Sequence, residues 1–371
     1  MAPKMHEKHG FSVWASEKPE TRELKRALLV VNPKSGGKKG LKILARVQPI
    51  LEKAGVKLNV VHTEYAGHAR EIARTHDLSE IDVFCPIGGD GTVHEVVNGF
   101  MRRDDYDEVH ERVTIGIIPG GTGNTLAYDM SLLSAERAVE LLVAGSTRLI
   151  DVGKVQASDA PTEVAAPADG AAEEEDGEDT AQAKMAKAAA ANGPSDHLVY
   201  SINLIGYGLT TTVMKVANSM RFIGGAQYKL AAYHSMLRNR GYRCTVDFVD
   251  AEGKDQKLEG KFLMIHGQMT VHMGERTPFA PDAQLDDGLF ELVLIKHGHT
   301  LKMINTLKAS EKNKHRDKPS VIMHKVRSFT VTPHESVKLV GPTTVNVDGE
   351  LAGSAPFRAD IIPKALRVVA P

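Results

Sequence analysis

Three short glycine-rich turns, each placed directly after a run of strand-forming residues, constrain this chain more than any other feature. The turns are residues 32–37 (NPKSGG), 88–92 (GGDGT) and 120–124 (GGTGN). Apolar residues at helical spacing fill the stretches between them. This alternation of strand and helix predicts a parallel sheet covered by helices on both faces. We therefore expect a doubly wound α/β nucleotide-binding domain over residues 27–150.

The position of these turns predicts a shared binding edge. The carboxyl ends of parallel strands meet at one edge of such a sheet, and ligands bind there. Glycines allow backbone amides to approach a phosphate closely, and a following helix adds its positive N-terminal dipole. Asp90 stands out, because a carboxylate among phosphate-facing glycines repels the ligand unless it contacts a hydroxyl proton or a metal ion. Taken singly, each turn is also compatible with an ordinary tight turn.

Two familiar nucleotide-binding patterns are absent from the sequence. Neither Gly-x-x-x-x-Gly-Lys-[Ser/Thr] nor Gly-x-Gly-x-x-Gly occurs. A P-loop protein and a dinucleotide dehydrogenase are therefore disfavoured.

Beyond the first domain the sequence pattern changes twice. Residues 156–195 are rich in alanine and hold nine acidic side chains against two lysines. Such a composition buries too little apolar surface to fold, so it predicts a disordered acidic insertion. Short strand-like runs separated by turns follow, and they predict an antiparallel β-sandwich domain over residues 196–371. The active site is expected in the cleft between the two domains. Residues 1–26 are polar and are predicted to be a loosely ordered lead-in.

The charge of the chain is an average over unlike parts. The whole sequence has 46 Lys and Arg against 47 Asp and Glu, a net charge of −1, while residues 156–195 alone carry −7. The remainder therefore carries +6, too little to predict a nucleic-acid partner. Two cysteines offer no disulfide framework. No apolar run reaches the roughly 20 residues of a membrane span. We expect a cytoplasmic protein with peripheral membrane association.

Several ordered motifs resemble those of the diacylglycerol kinase/sphingosine kinase superfamily of lipid kinases, closest to the sphingosine kinase-like branch. The matching blocks are residues 28–37 (LLVVNPKSGG), 86–98 (PIGGDGTVHEVVN), 115–126 (IGIIPGGTGNTL), 280–289 (APDAQLDDGL) and 345–350 (VNVDGE). The resemblance implies transfer of the γ-phosphoryl group of ATP to a lipid hydroxyl, with Mg²⁺ as the metal.

The resemblance also assigns candidate roles to single residues. Asp90 and Glu350 match the acidic residues that different branches of the family use as proton acceptor, and the sequence does not choose between them. Asp348 and Asp287 match metal positions, although residues 286–288 also suit a plain hairpin turn. The nucleotide-binding positions of the family correspond to Asn32, Ser35, Thr63, Gly88, Gly89, Gly91, Thr92, Gly121, Thr122, Asn124 and Arg221.

Two features of the sequence favour different lipid head groups. Residues 201–246 contain basic side chains but no Asp or Glu, which suits an anionic membrane surface or a lipid-entry wall. Gly206 and Thr210 lie at the expected substrate site. Sphingosine kinases carry there an Asp that pairs with the sphingoid amine, whereas this chain has hydroxyls. Overall motif likeness slightly favours a sphingoid base, and the missing Asp favours diacylglycerol. A soluble-substrate enzyme of the NAD kinase type and a non-catalytic lipid- or nucleotide-binding regulator are the remaining alternatives.

Overall fold

The computed structural model describes most of the chain. The described residues are 11–15, 18–158, 197–219, 231, 234–235, 241–274, 276–334 and 344–371. Most of the predicted acidic insertion, residues 159–195, lies outside them, as does Arg221.

The first part of the chain forms the predicted parallel sheet. A short strand β1 (Glu20–Thr21) precedes the parallel strands, which are β2 (Arg26–Val31), β3 (Lys57–His62), β4 (Val83–Gly88), β5 (Thr114–Ile115) and β6 (Ile118–Pro119). The main order across the sheet is β5-β4-β2-β3, with β6 also paired to β4. Strands β2 and β4 are almost wholly buried, which explains why their sequences are continuous apolar runs.

Helices connect these strands and cover the sheet. They are α1 (Ser35–Lys38), α2 (Gly40–Lys53), α3 (His68–Thr75), α4 (Asp90–Phe100), α5 (Tyr106–Arg112), α6 (Thr125–Asp129) and α7 (Ala135–Val143). The predicted α/β class of the first domain is confirmed, and the helices α1, α4 and α6 each begin at one of the glycine turns.

The second part is an antiparallel β structure, as predicted. Its strands are β7 (Ser146–Ser158), β8 (Leu198–Ser201), β9 (Leu204–Gly208), β10 (Tyr242–Asp250), β11 (Asp255–Gln268), β12 (His272–Met273), β13 (Thr277–Pro278), β14 (Phe290–Lys296), β15 (Val321–Pro333), β16 (Thr344–Val347) and β17 (Glu350–Val369). Among the described residues, the helices α8 (Leu209–Ser219) and α9 (Thr300–Ser310) accompany them. No helix in the described ranges is long and apolar enough to cross a membrane.

The parallel sheet of the first part and the antiparallel sheet of the second part, called the second sheet below, are joined edge to edge. The end of β17 pairs in parallel with β5 through Val368 and Ile115, and β17 also pairs with the long strand β7. One hydrophobic cluster covers the parallel sheet and continues onto the helix-covered face of the second sheet. A second cluster, which includes Tyr207, Phe329 and Phe357, fills the inside of the β structure. This continuity fixes the parallel strands relative to the antiparallel ones.

The structure corrects two expected boundaries. The lead-in is not loosely ordered throughout, because Val13 and Trp14 are buried and β1 pairs with β7. The carbonyl of Val13 accepts a hydrogen bond from the backbone N–H of Leu285 at 2.8 Å. The insertion was also predicted to begin too early, since residues 156–158 continue β7 and pair with β17. Composition alone does not predict either feature, because a few buried side chains are enough to give a defined structure to a segment that is polar overall.

Removing a large side chain from the buried parallel sheet tests this description. Phe84 in β4 is 0% exposed. We expect Phe84→Ala to lower the free energy of unfolding by about 3–5 kcal/mol. The control Leu301→Ala, at a position 78% exposed, should change it by no more than about 0.5 kcal/mol. Denaturant unfolding followed by circular dichroism measures both, and equal losses would contradict the assigned core.

Candidate active site

The three glycine turns meet at one edge of the parallel sheet. The hydroxyl of Ser35 donates a hydrogen bond to the carbonyl of Gly120 at 3.1 Å. A Cβ added at Gly36 would lie 2.2 Å from that same carbonyl oxygen, and one added at Gly121 would lie 2.4 Å from Cα of Gly89. The backbones therefore approach more closely than any side chain allows, which explains the glycines.

Asn32 and Thr92 join the first two turns. The amide of Asn32 donates to the hydroxyl of Thr92 at 3.1 Å, and its Oδ1 accepts the backbone N–H of Lys34 at 3.0 Å. Thr63 follows β3 and donates its backbone N–H to Val31, the residue before Asn32. A Cβ at Gly88 would lie 2.4 Å from the hydroxyl of Thr92. The predicted nucleotide-binding residues Asn32, Thr63, Gly88 and Thr92 therefore lie side by side where β2, β3 and β4 end.

The third turn is closed by its own asparagine. Asn124 adopts a left-handed conformation with φ of 52°. Its Oδ1 accepts the backbone N–H of Gly121 at 2.9 Å, and its Nδ2 donates to the carbonyl of Gly121 at 2.8 Å. Thr122 and Gly123 at the tip are exposed. The turn therefore presents exposed backbone beside the N-terminus of α6.

Two carboxylates flank these turns. Asp90 is the first residue of α4, and its Oδ1 accepts the backbone N–H of Thr125 at 2.7 Å. Burial, together with the charge of Asp348, raises the pKa of Asp90 above its ordinary value. Glu350 is exposed, and a Cβ added at Gly91 would lie 4.0 Å from its Oε1. The two candidate proton acceptors thus both adjoin the Gly-Gly-Asp-Gly turn.

The carboxylate of Asp348 lies just behind this pair and is completely enclosed. Its side chain is 0% exposed, and Nδ1 of His94 lies 3.0 Å from its Oδ2. The other groups that donate to it are Ser201 Oγ at 2.7 Å and the backbone N–H groups of Ile202 at 2.9 Å, Asn203 at 2.9 Å and Leu204 at 3.0 Å. Burial alone would raise the pKa of Asp348, yet these hydrogen bonds, above all the one with His94, hold it below its ordinary value.

A metal role for Asp348 or Asp287 stays a prediction, and the contacts of both residues point elsewhere. The oxygens of Asp348 are taken up by five partners. Asp287 forms an ion pair with Lys325 at 2.6 Å and accepts the N–H of Leu289 at 3.1 Å. No group of three or more His, Cys, Asp or Glu side chains that could hold a metal occurs in the described part of the chain.

His94 and Asn98 were not singled out from the sequence. Both are buried on α4 and lie one helical turn apart. Asn98 donates to the carbonyl of Tyr200 at 2.8 Å and accepts its N–H at 2.9 Å, which fastens α4 to β8. The sequence signal that could have identified them is the four-residue spacing of two polar side chains on a helix face that is otherwise largely apolar.

The predicted substrate residues lie on the second sheet. Gly206 in β9 is paired with His266 of β11 on one side and with Asn346 of β16 on the other. The hydroxyl of Thr210, in the first turn of α8, hydrogen bonds to Nε2 of His266. Because β16 leads within four residues from Asn346 to Glu350, this surface adjoins the glycine turns.

Comparison with known proteins agrees with both halves of this architecture. Residues 26–155 match the Diacylglycerol kinase catalytic domain, and residues 203–370 match the YegS C-terminal NAD kinase beta sandwich-like domain. The chain belongs to the diacylglycerol kinase/sphingosine kinase superfamily. It is therefore a lipid kinase by family, and the predicted kinase class is confirmed.

Members of this superfamily with different names resemble the chain to a similar degree. It is 27% identical over 353 residues to a diacylglycerol kinase of Bacillus subtilis, covering 94% of this chain and 97% of that protein. It is 25% identical over 352 residues to sphingosine kinase 1 of Arabidopsis thaliana, covering 83% of this chain and 64% of that protein. A crystal structure of a diacylglycerol kinase from Bacillus anthracis shares the fold, with a TM-score of 0.61 at 18% identity and coverage of 94% and 98%.

The close approach of the turns supplies a test with a matched control. Gly36 and Gly37 both have positive φ, but a Cβ at Gly37 would meet nothing within 4 Å. We expect Gly36→Ala to displace the Gly120 turn and to weaken ATP binding about tenfold or more, which corresponds to about 1.4 kcal/mol. Gly37→Ala should weaken it by no more than about threefold. Nucleotide titration of both variants measures this, and equal losses would argue against convergence of the turns.

Proposed function

We propose that this protein is an ATP-dependent lipid kinase that transfers the γ-phosphoryl group of ATP to the hydroxyl of a membrane lipid. The observation that carries the proposal is the meeting of three glycine turns with Asp90 and Glu350 at one sheet edge. The turns offer backbone N–H groups and helix N-termini to phosphates. Phosphoryl transfer depends mainly on positioning and on neutralising charge, so such an edge is suited to it.

Asp90 and Glu350 are assigned the roles nearest the reacting atoms. Glu350 is exposed at the edge, while Asp90 is held by the N-terminus of α6. Either carboxylate can orient the lipid hydroxyl and accept its proton as the oxygen bonds to the γ-phosphorus and the bond to ADP breaks. The hydrogen bond from Thr125 fixes Asp90 in one orientation, which favours a positioning task.

Of these two carboxylates, the one that does not accept the proton can hold the Mg²⁺ that accompanies ATP. Magnesium is held in kinases by one or two carboxylates together with the substrate phosphates. Asp90 and Glu350 meet that requirement, whereas Asp348 and Asp287 are occupied by other partners. When bound, the ion neutralises phosphate charge during transfer.

The acceptor is a membrane lipid with a free hydroxyl, and two classes compete. Likeness to sphingosine kinases favours a sphingoid base, and likeness to diacylglycerol kinases favours diacylglycerol. A lipid acceptor would distinguish both from a soluble-substrate enzyme of the NAD kinase type, and phosphoryl transfer would distinguish both from a non-catalytic regulator.

Removing each carboxylate in turn tests the proposal. The purified protein is incubated with labelled ATP, Mg²⁺ and mixed micelles of one lipid at a time. We expect Asp90→Asn or Glu350→Gln, whichever removes the proton acceptor, to lower kcat by about 100-fold or more. KM for ATP should stay within about threefold. The control Glu140→Gln, at a side chain 62% exposed, should behave as wild type. Transfer to no lipid, or near-native turnover in both variants, contradicts the proposal.

The dependence of kcat on pH separates the two acids. Because the pKa of Asp90 is raised by burial and by the neighbouring charge of Asp348, its carboxylate takes up a proton at a higher pH than an ordinary aspartate. If Asp90 accepts the proton, kcat should fall on acidification at a pH above the ordinary aspartate range. This fall of kcat on acidification should be absent from the residual activity of Asp90→Asn. If the fall persists in this variant, Glu350 is the proton acceptor.

A further inference from the structure

A row of polar side chains crosses the second sheet from the surface around Gly206 to the strand β14. It consists of Thr210, His266, Gln268 and Glu291, and we call it the polar row. His266 and Gln268 stand two residues apart on β11, so their side chains lie on the same face of the sheet. Gln268 is paired directly with Glu291 of β14, and directly paired residues project to the same face. The register therefore makes these side chains neighbours.

Hydrogen bonds connect the first three members of the polar row. The hydroxyl of Thr210 is hydrogen bonded to Nε2 of His266, and the amide nitrogen of Gln268 lies 3.2 Å from Nδ1 of His266. Burial lowers the pKa of His266 to about 3, so its imidazole is neutral and carries one proton. Because the amide of Gln268 donates to Nδ1, that proton resides on Nε2 and is donated to the oxygen of Thr210. The hydroxyl proton of Thr210 then remains available to a ligand.

Two oxygens at the other end of the polar row lack a donor. Oε1 of Gln268 and Oε2 of Glu291 are buried and have no hydrogen-bond partner among the described residues. Gln268 is 0% exposed and Glu291 is 5% exposed. The Cβ atoms of directly paired residues lie about 4.5–5.5 Å apart, so the two side chains can reach each other. A protonated Glu291 can donate to Oε1 of Gln268, and this single proton then gives both oxygens a partner.

The charges around Glu291 allow its carboxyl group to take up that proton. Among the described residues, the charged side chains that face it are Asp282, Lys325, Arg316 and Asp287. Lys325 forms an ion pair with Asp287 at 2.6 Å, so its charge is engaged by another carboxylate. Arg316 is paired with Asp282 in the same way. Burial, together with the charge of Asp282, raises the pKa of Glu291 to about 7, so Glu291 changes its charge within the neutral pH range.

A second imidazole lies close to the polar row and stays neutral. The ring of His315 stacks on that of Phe279 at 5.2 Å, and the ring of Phe279 lies 5.2 Å from that of His266. Nε2 of His315 donates to the carbonyl of Phe279 at 2.8 Å, and burial lowers the pKa of His315. The group of this cluster that titrates near pH 7 is therefore Glu291.

Ionisation of Glu291 reverses the direction of the polar row. A carboxylate only accepts hydrogen bonds, so it attracts the NH₂ group of Gln268, which a half-turn of the amide directs towards it. The amide oxygen then faces Nδ1 of His266 and requires the imidazole proton there. Nε2 becomes an acceptor, and the hydroxyl of Thr210 donates to it. One proton has passed from Glu291 to solvent, His266 has remained neutral, and each hydrogen bond is kept with donor and acceptor exchanged.

We propose that Glu291 is a positioning residue that acts through the polar row on the hydroxyl of Thr210. When Glu291 is protonated, Thr210 donates to an oxygen of the acceptor lipid; when Glu291 is ionised, the same hydroxyl donates to His266 instead. The inference rests on the proposed lipid kinase activity. Because the reacting lipid hydroxyl gives its own proton to the proton acceptor of the reaction, the lipid oxygens bind best to a donor. The lipid is therefore bound more tightly when Glu291 is protonated.

The tautomer of His266 reports the direction of the polar row without any ligand. In full-length protein labelled with ¹⁵N-histidine, the chemical shifts of the ring nitrogens show which nitrogen carries the proton. The signals are assigned by their absence from His266→Gln. We expect the proton to move from Nε2 to Nδ1 between about pH 6 and about pH 8. In Glu291→Gln the tautomer should be the same at both pH values, because an amide does not ionise.

Two outcomes of this measurement would overturn the inference whatever the activity of the protein. One is a wild-type tautomer that does not change with pH. The other is the same change in the wild type and in Glu291→Gln.

The effect on lipid binding is measured with the same two proteins. Sphingosine, N-acetylsphingosine and 1,2-diacylglycerol are each presented in micelles of non-ionic detergent with Mg²⁺ and saturating ATP. The ratio of lipid KM values, wild type over Glu291→Gln, cancels titration of the lipid and of the other acids at the site. From about pH 6 to about pH 8 this ratio should rise about threefold or more, while the same ratio for ATP stays within about twofold. A lipid ratio that stays constant or falls overturns the inference and leaves a lipid kinase. Transfer to none of the three lipids overturns the proposed function and the inference with it.

A variant pair at Thr210 tests the end of the polar row. Thr210→Val removes the hydroxyl at nearly constant size, and Thr210→Ser keeps it. We expect lipid KM in Thr210→Val to lose its dependence on Glu291, so that adding Glu291→Gln changes it by no more than about twofold at either pH. Thr210→Ser should keep the wild-type dependence. Equal behaviour of the two variants would show that the Thr210 hydroxyl does not mediate the effect and would overturn the inference.

Discussion

The enclosed carboxylate of Asp348 is the interaction on which the arrangement of the site depends. Its negative charge is surrounded by His94, a serine hydroxyl and three consecutive backbone N–H groups. Leaving a buried charge without partners costs about 3–5 kcal/mol, so this set of contacts is what allows the charge to stay inside the protein. Beyond Asp348, Gly349 with φ of 100° donates its N–H to Asn346, and this tight turn directs Glu350 towards Gly91.

The same carboxylate connects the two halves of the chain. His94 belongs to α4, the helix that begins at Asp90, while Ser201 and Leu204 belong to the strands of the second sheet. The helix that carries one candidate proton acceptor is thereby held against the turn that carries the other. The backbone of Asp348 adds a further link by donating to the carbonyl of Leu204 at 2.9 Å. Together with the pairing of β17 with β5, this bond joins the sheet edge that carries the glycine turns to the strands of the second part.

The parts of the site that could be predicted from sequence are those encoded locally. Each glycine turn follows its strand within a few residues, so the alternation of strand and helix was enough to place Asp90 at the ligand edge. The partners of Asp348 are His94 and residues 201–204, all more than 140 residues away in the sequence. The spacing of apolar residues along the chain does not predict contacts over such a separation. The neighbours of Gly206 could not be predicted for the same reason: His266 resembles an ordinary strand residue until the register of β9 and β11 sets it beside Gly206.

We infer that Asp348 positions the two acids and does not itself bind nucleotide. Steady-state kinetics of the Asp348→Asn protein test it most directly, because an amide of equal size presents an N–H₂ group where the backbone donors require an acceptor. We expect kcat to fall about 100-fold while KM for ATP stays within about threefold, in a protein that circular dichroism shows to be folded. An unchanged kcat, or a loss confined to KM for ATP, would contradict it.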